Sequence, residues 1–459
     1  MSVRTITRLA FATIASTVAM SATAMAADLG GNCCADLEER VAELEATAAR
    51  KGNRKVSLTV SGQVNEAVIF WNDGQERNAY VVSNNNSRTR FRFNGDAKIT
   101  NDLTAGYLLE IGVRYANSTT RNQNADFAGG NSSSLDIRHS AWYLDSKHLG
   151  RVWVGHTGMA TEGITEISLA NINSGNADIS SWNSSYFLRN NGTRQSAVTW
   201  GNIQSQWNQN VGEGDRQNNV RYISPAFAGF TVSTAWGEDD KYDVALKYAG
   251  EFNGVRLAAG IGYQKTTDFN NNANNCANPG GNAQISNTNC EALGMSASVM
   301  HVPTGIFITG AYGESKDNNL GDLTRLTSLT HPTNDKNKFW SVQAGIEQKW
   351  FSLGKTTLFG EYVESNTGNG LAGGQLRTIA GNDAILSVAG LANVFIASSE
   401  VKTWGFGVNQ SVEAANADLY LHFRNFDASL NTVNANGTAR ANTGVKDFQA
   451  VMTGMVIRF

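Results

Sequence analysis

From residue 56 onward, apolar and polar residues alternate along many segments, and this period of two constrains the fold more than any other feature. Apolar side chains occupy every second position of 107–115 and 255–263, and Gly, Arg or Glu fill many of the positions between them. Successive side chains of a strand point to opposite faces, so these segments predict strands with one apolar and one polar face. A soluble β-sandwich also alternates in this way, so the period alone leaves two architectures open.

The lengths of the connections distinguish these architectures. We predict sixteen strands, most of them long enough to cross a bilayer when tilted, which takes about 9–11 residues. They are 56–71, 88–99, 104–116, 135–146, 151–158, 217–223, 230–238, 241–252, 255–267, 292–302, 305–316, 337–350, 356–365, 401–412, 417–428 and 446–459. Short turns alternate with longer loops rich in Asn and Gly, and only the connection at 239–240 is short where a long one is expected. This segregation is typical of outer-membrane barrels, so we predict an all-β fold, a 16-stranded antiparallel transmembrane β-barrel with a short N-terminal helix.

The composition agrees with many strands joined by turns. The chain has 46 Gly and 50 Asn but only 4 Pro, which favours tight turns between paired strands. Apolar runs long enough for a transmembrane helix, about 18 residues or more, do not occur. The formal net charge of −3 gives no support for nucleic-acid binding, which usually needs a basic surface.

Residues 1–26 have the features of a signal peptide. Arg4 and Arg8 form a basic start, an apolar stretch follows, and Ala24 and Ala26 occupy the positions of a cleavage site. Cleavage after Ala26 removes two of the 37 basic residues and none of the 40 acidic ones, which leaves a net charge of −5. The alternative interpretation is a buried first helix.

A predicted helix at 36–51 lies in an N-terminal periplasmic segment, 27–54, ahead of the barrel at 55–459. The apolar residues along one face of this helix are Leu37, Val41, Leu44 and Ala48. Two heptads are too few to be stable alone. The helix is either solvated and packed on its own chain, or a short coiled coil between copies that are already held together.

The end of the chain supplies a specific signal. Five residues at every second position share one face of the last predicted strand: Val451, Thr453, Met455, Ile457 and the terminal Phe459. A terminal aromatic residue after an alternating strand resembles the signal by which the barrel-assembly machinery recognises bacterial outer-membrane proteins.

Four segments resemble the alphaproteobacterial general porins: CADLEERVAELE at 34–45, KVSLTVSGQVN at 55–65, SPAFAGF at 224–230 and VIRF at 456–459. The resemblance covers essentially the whole mature chain. It implies a trimeric sixteen-stranded barrel in the bacterial outer membrane, with the third external loop folded into the lumen. The expected partners are then two further copies of the chain, outer-membrane lipids and lipopolysaccharide, the assembly machinery and small hydrophilic solutes, with no cofactor, metal or nucleic acid.

Arginine residues alternate with phenylalanines in one predicted strand. Arg88, Arg90 and Arg92 share one face, and Phe91 and Phe93 share the other. Arg on the lipid face near the bilayer midplane costs about 2–4 kcal/mol, so the arginines are predicted to face the lumen. The other predicted pore-lining residues are Glu110, Arg114, Arg138 and Arg221. For any one of these arginines, the alternative is that it only solvates the wall away from the narrowest point.

The connection at 159–216 is the longest gap in the strand pattern and follows the fifth strand, so it is our candidate for the inward loop. It carries Glu162, Glu166 and Asp178, and its aliphatic side chains are suited to packing against the wall. Carboxylates on this loop opposite arginines on the wall would form a constriction with opposed charges. The alternative is a surface loop with scattered acidic residues.

Two of the four cysteines, Cys276 and Cys290, flank an Asn-rich external loop. Export permits disulfides, and a bridge closing this segment would contribute about 3 kcal/mol by restricting the unfolded chain. The spacing fits neither a redox motif nor a zinc pair. No role is assigned to Cys33 and Cys34.

These observations predict a porin with a water-filled channel for passive diffusion of small hydrophilic solutes and ions, not an enzyme. The six His are scattered, with no HExxH and no GxSxG motif, although some outer-membrane barrels are enzymes. A secreted adhesin is a second alternative, but it has no need for a terminal aromatic strand. A substrate-specific sugar or anion channel shares the architecture and differs in the aromatic residues of its lumen.

Overall fold

Antiparallel strands dominate the computed structural model, which describes residues 55–124, 134–172, 178–189, 195–204, 210–238, 240–267, 289–318, 335–367, 378–379, 394–434 and 440–459. The chain divides into two units, Met1–Lys55 and Val56–Phe459, and every strand below belongs to the second. The predicted signal peptide, the predicted helix at 36–51 and three of the cysteines, Cys33, Cys34 and Cys276, lie outside the described residues. In the described part of the chain, no helix has both the length and the apolar character needed to cross a membrane.

The described strands are β1 Thr59–Asn72, β2 Arg77–Ser83, β3 Arg90–Lys98, β4 Leu103–Arg114, β5 Ser134–Ser146, β6 Gly150–Gly158, β7 Phe187–Arg189, β8 Gln195–Thr199, β9 Arg216–Ile223, β10 Phe230–Gly237, β11 Lys241–Phe252, β12 Val255–Thr266, β13 Cys290–His301, β14 Ile306–Asp317, β15 Lys336–Phe351, β16 Gly354–Thr367, β17 Thr378–Ile379, β18 Val394–Val412, β19 Ala417–Asn434, β20 Arg440–Gly444 and β21 Phe448–Arg458. One four-residue helix, α1, spans Ser180–Asn183.

Sixteen of these strands close into a barrel. The circuit runs from β1 through β3–β6, β9–β16, β18 and β19 to β21, which pairs back onto β1, and every pairing is antiparallel. The short strands β2 and β20 extend the wall beside β1 and β19, whereas β7 and β8 form a separate two-stranded sheet within the β6–β9 connection. Each predicted strand overlaps one strand of the circuit, so the predicted architecture is confirmed.

The connections divide between the two rims as expected. Short turns link β3 to β4, β5 to β6 and each later pair at one rim, and the chain terminus Phe459 lies at that rim beside Gly62. The longer connections lie at the opposite rim, where only the one between Gly237 and Lys241 is short. Two-residue turns such as Asn253–Gly254 need left-handed backbone, which both residues adopt, with φ of 49° and 74°.

The two faces of the wall differ as the period of two requires. Large apolar side chains such as Leu246, Leu257 and Ile261 point outward and are exposed. Small or polar residues on the opposite face, among them Ser296 and Ser298, are buried inside. Strands in the hydrocarbon core of a bilayer need an apolar outer face and hydrogen-bond partners for every backbone group. A closed barrel meets both needs, because it has no open sheet edge.

Candidate functional site

We call the β6–β9 connection, residues 159–215, the inward loop, and its described residues, 159–172, 178–189, 195–204 and 210–215, run along the inner face of the barrel. Asp243 of β11 accepts hydrogen bonds from the backbone N–H groups of Ala160, at 3.1 Å, and Thr161, at 2.7 Å. On β13, the Ser296 hydroxyl donates to the Ile164 carbonyl at 2.6 Å. These hydroxyl and carboxylate groups satisfy loop backbone that would otherwise be buried without partners.

The same loop continues across the interior to the far wall. The Asn171 N–H donates to Glu347 of β15 at 2.8 Å, and the Asn409 side chain of β18 donates to the Asn171 carbonyl at 2.6 Å. Further along, the Ser399 hydroxyl donates to the Ile203 carbonyl at 2.7 Å. The inward loop therefore spans from β11 to β18 inside the barrel.

Apolar packing fixes the later part of the loop. Trp182, Tyr186 and Trp200 are buried, and the Tyr186 ring lies 4.6 Å from that of Phe448, centroid to centroid. The guanidinium of Arg424 lies 4.7 Å from the Trp182 ring centroid, an attractive cation–π geometry. Earlier in the loop, the aliphatic residues Ile164, Ile167 and Leu169 pack against inner-wall clusters.

On the opposite wall, arginines converge on one buried carboxylate. Glu110 of β4 accepts from Arg92 Nε at 2.8 Å and from Arg138 Nε at 2.6 Å, and its Oε1 lies 3.4 Å from Arg90 Nη1. Arg92 faces Glu110 directly across the β3–β4 pair. One negative charge therefore holds three guanidiniums, and the cluster, which we call the arginine wall (Arg90, Arg92, Arg138 and Glu110), keeps an excess of positive charge.

A second carboxylate binds two more predicted pore residues. Asp136 of β5 lies 2.6 Å from Arg88 Nη2 and 3.3 Å from Arg114 Nη2. Arg221 stands apart from both groups, with Nη1 donating to the Met159 carbonyl at 3.4 Å. Asp136 was not among the predicted site residues, although it lies two residues from Arg138 on the same strand.

A cavity of about 720 Å³ lies between the inward loop and the part of the barrel wall that carries Arg138 and Asp136. The predicted residues that line it are Arg88, Arg114, Arg138, Glu162, Glu166 and Asp178. The lining residues that sequence reasoning missed include Asp136, Glu213, Asp215 and Arg216. The other predicted pore residues, Arg90, Arg92, Glu110 and Arg221, are not part of this lining.

The acids of the loop have different partners. Glu162 forms an ion pair with Arg216 at 2.6 Å. Asp178 accepts from the Ser180 N–H at 3.0 Å and from the Ser181 hydroxyl at 2.7 Å, so its carboxylate also satisfies the start of α1. Both Glu162 and Asp178 therefore line the cavity with carboxylates that already have an ion-pair or hydrogen-bond partner.

Glu213 is 3% exposed and is the most buried acid among the described residues of the loop, and Glu166 lies near it. Burial raises the pKa of Glu213 to about 7, despite hydrogen bonds from the Thr165 N–H and hydroxyl that oppose the rise. Burial and the nearby Glu213 and Asp178 raise the pKa of Glu166 well above its usual range. The charge on the loop side of the cavity therefore changes near neutral pH.

Among the described residues, no three His, Cys, Asp or Glu side chains are grouped as metal ligands. The fold and the site together define a class: a closed transmembrane β-barrel of the outer membrane whose polar interior holds a charged cavity.

The family follows from a comparison of sequences. A family model described as Gram-negative porin matches residues 12–445, and the chain belongs to that family. It is an outer-membrane β-barrel, and its function is that of an outer-membrane channel. Among curated proteins, a search with this sequence finds no significant match.

Three solved structures are similar to this chain over most of its length. An anion-selective porin from Comamonas acidovorans is 14% identical, with a TM-score of 0.51 over 88% of this chain and 100% of that one. OmpT, an outer membrane protein of Vibrio cholerae, is 11% identical, with a TM-score of 0.48 over 89% and 98% of the two chains. OmpF of Salmonella typhi in complex with daunomycin is 12% identical, with a TM-score of 0.48 over 88% and 98%. At such identities, the likeness to the first of these shows the barrel fold alone.

Proposed function

We propose that the channel passes small hydrophilic solutes and ions by passive diffusion and selects among them at the cavity where Arg88, Arg114 and Arg138 face the inward loop. The observation that carries the proposal is the lining, in which Arg88, Arg114, Arg138 and Arg216 stand with carboxylates around one space. Opposed charges in a narrow, partly desolvated passage interact more strongly than in bulk water. Such a field orients dipolar solutes and penalises apolar ones.

A substrate-specific sugar or anion channel is the second candidate. Sugar recognition generally uses aromatic faces, yet the described lining of the cavity holds no Phe, Trp or Tyr. The interior aromatic residues Trp182, Tyr186 and Trp200 are instead buried in packing. This lining favours general diffusion over a sugar-specific channel. Membership in a family of channels also supports a non-enzymatic role over the enzyme and adhesin alternatives.

Liposome swelling tests the proposal directly. Vesicles containing the purified protein should swell in neutral sugars at rates that fall smoothly with solute size and do not saturate with concentration. Saturation by one sugar, with exclusion of others of equal size, would support the substrate-specific alternative.

We further propose that the protein is a homotrimer of the alphaproteobacterial general porin type, made with a signal peptide at 1–26. The resemblance of segments 34–45 and 55–65 to that group supports both. Electrophoresis of unheated samples should show three subunits, and a stable monomer after gentle extraction would contradict the trimer. Deleting 36–51 then tests the coiled coil, since unchanged trimer stability favours the solvated helix.

A Cys276–Cys290 disulfide is part of the same proposal. Cys290 is disulfide-bonded at the start of β13, and Cys276 lies outside the described residues. Non-reducing peptide mapping should join the two fragments, whereas a bridge from Cys290 to Cys33 or Cys34 would contradict the pairing. Recognition of Phe459 by the assembly machinery remains a prediction of the same kind.

A further inference from the structure

One buried arginine in the described part of the chain has no acidic partner. Arg121 lies in the β4–β5 connection, at the long-loop rim of the barrel, and is 3% exposed. Among the described residues, no carboxylate forms an ion pair with it. The other three buried arginines of the described residues each pair with a carboxylate: Arg88 lies 2.6 Å from Asp136, Arg189 lies 2.7 Å from Asp73, and Arg424 lies 2.6 Å from Glu361.

The guanidinium of Arg121 also lacks hydrogen-bond partners. Its Nε and Nη2 are enclosed by the protein and, within the described part of the chain, neither has an acceptor. An arginine side chain stays charged in a protein, and all of its N–H groups are donors. An uncompensated buried charge is costly, and a buried donor without an acceptor adds to that cost. A buried group of this kind indicates a bound ion.

Hydrogen bonds on two sides fix residues 117–124, which we call the rim segment. The Tyr80 hydroxyl of β2 donates to the Asn122 carbonyl at 3.1 Å. From the inward loop, the Ser185 hydroxyl donates to the Thr119 carbonyl at 2.5 Å. The buried guanidinium belongs to the stretch between these two anchors, so it is held where β2 and the inward loop meet the rim segment. It is not part of the lining of the cavity of about 720 Å³.

The side chains near this guanidinium supply further donors and no negative charge. The Tyr186 ring lies 5.3 Å from the Trp71 ring, centroid to centroid. In the described part of the chain, the Tyr186 hydroxyl and Trp71 Nε1 are buried without hydrogen-bond partners. Burial and the neighbouring Tyr80 raise the pKa of Tyr186 well above its usual range, and the nearby charge of Arg121 opposes the rise. The phenol therefore stays neutral, and the phenol O–H and the indole N–H can each donate to an anion.

We propose that Arg121 binds one chloride ion, with the Tyr186 hydroxyl and the Trp71 N–H beside it, and that the ion holds the rim segment against the inward loop. A bound anion supplies the missing counter-charge and accepts from donors that have no other acceptor. A water molecule would leave the charge uncompensated. Since only 3% of Arg121 is exposed, the site admits an ion about the size of a water molecule and excludes larger anions such as phosphate. The site is separate from the cavity lining, so it does not depend on how the channel selects solutes.

The chloride dependence of stability tests the proposal. The refolded barrel in detergent would be unfolded with urea at constant ionic strength while gluconate is replaced by chloride. A ligand that binds only the native state should raise the folding constant of the parent about tenfold once chloride reaches about ten times its Kd, and the urea midpoint should rise with it. Arg121→Gln should show no rise, and in gluconate it should be more stable than the parent, because no lone charge remains. Arg121→Met serves as the second variant if Arg121→Gln fails to fold.

Arg77→Gln is the matched control, since Arg77 is an exposed arginine at the same rim. This variant should keep the chloride response of the parent, which separates binding at Arg121 from a general effect of charge. Crystals grown in bromide locate the ion directly by anomalous scattering. A peak should lie within hydrogen-bond distance of the Arg121 guanidinium in the parent and in Arg77→Gln, and it should be absent from Arg121→Gln.

Equal chloride responses in the parent and Arg121→Gln would overturn the proposal, and so would a parent that does not respond to chloride. Bromide peaks elsewhere, with none at Arg121, would also overturn it. The nearest acid in the sequence is Asp126, which lies outside the described residues. A parent without a chloride response whose stability falls sharply in Asp126→Asn would assign the counter-charge to this chain instead of to an ion.

Discussion

Two regions of the inner wall use the same pairing of arginine with glutamate and put it to different uses. At the arginine wall, Glu110 holds Arg90, Arg92 and Arg138, and Arg92 remains partly exposed to the lumen. On the far wall, Arg424 makes two hydrogen bonds to Glu361, at 2.6 and 3.1 Å, and both side chains are at most 2% exposed.

The cover over each region explains the difference. Trp182 of the inward loop lies over Arg424, and the packed loop excludes water from that pair. Arg138, in contrast, lines the cavity. An ion pair that water cannot reach must have equal and opposite charges, because an unpaired buried charge is costly. A cluster that borders water can keep a net charge, because water solvates it. The inward loop therefore covers the wall at Arg424 and Glu361, and the wall around Arg138 stays open to the cavity.

The largest expected effect is on the covered pair. Glu361→Gln leaves the Arg424 guanidinium buried without its counter-charge, which should cost about 3–5 kcal/mol of unfolding free energy. Urea unfolding of the refolded barrel in detergent measures this loss. The control is Glu291→Gln, which removes a partly exposed pair with Lys265 and should cost about 0–1 kcal/mol. Equal losses in the two variants would show that the inward loop does not exclude water from Arg424.

A smaller loss of stability is expected at the arginine wall. Glu110→Gln removes the shared acceptor of three guanidiniums, but water from the lumen reaches Arg92, whose side chain is 43% exposed, so the cost should be about 1–3 kcal/mol. The same change adds one positive charge and should move ion selectivity toward anions. Reversal potentials across a salt gradient report that shift, and a shift toward cations would contradict the geometry of this cluster.

The smallest expected effect is the dependence of ion selectivity on pH. The pKa of Glu213 is raised from 4.5 to about 7, so its contribution to stability is complete below about pH 4.5 and is lost as pH rises through 7. Between pH 8 and pH 6 the loop gains a proton, and selectivity should move toward anions. Glu213→Gln should reduce this dependence. An unchanged pH dependence in that variant would show that Glu213 does not titrate in this range.

Much of the fold could be predicted from the sequence because a strand period of two is a local signal. All sixteen strands follow from alternation and turn residues, without knowledge of partners. The short strand β2, beside β1, was missed because it falls in a stretch that the pattern assigns to a loop. The β7–β8 hairpin lies inside the long gap and has no alternation long enough to detect.

The site was less predictable because its contacts join distant residues. A bulge shifts the β4–β5 register between Glu110 and Ile111, so that Arg138 has no direct partner across the pair, and such bulges redirect side chains. The anchor from Thr161 to Asp243 spans 82 positions and leaves no local trace. Asp136 could have been found, since it lies two residues from Arg138 on the same strand.

The selectivity of the open channel tests the central claim most directly, namely that charges on the two sides of the cavity select ions. Reversal potentials would be measured in planar bilayers at low salt for three variants. The first is a double variant that combines Arg138→Gln and Arg216→Gln, and the second combines Glu162→Gln and Glu166→Gln. The third is the rim control, Lys349→Gln. The arginine double variant should shift selectivity toward cations and the glutamate double variant toward anions, while the control stays unchanged. Both shifts should shrink at high salt, because the Debye length falls from about 10 Å at 0.1 M to about 3 Å at 1 M. Unchanged reversal potentials in both double variants would contradict the assignment of this cavity as the selecting region.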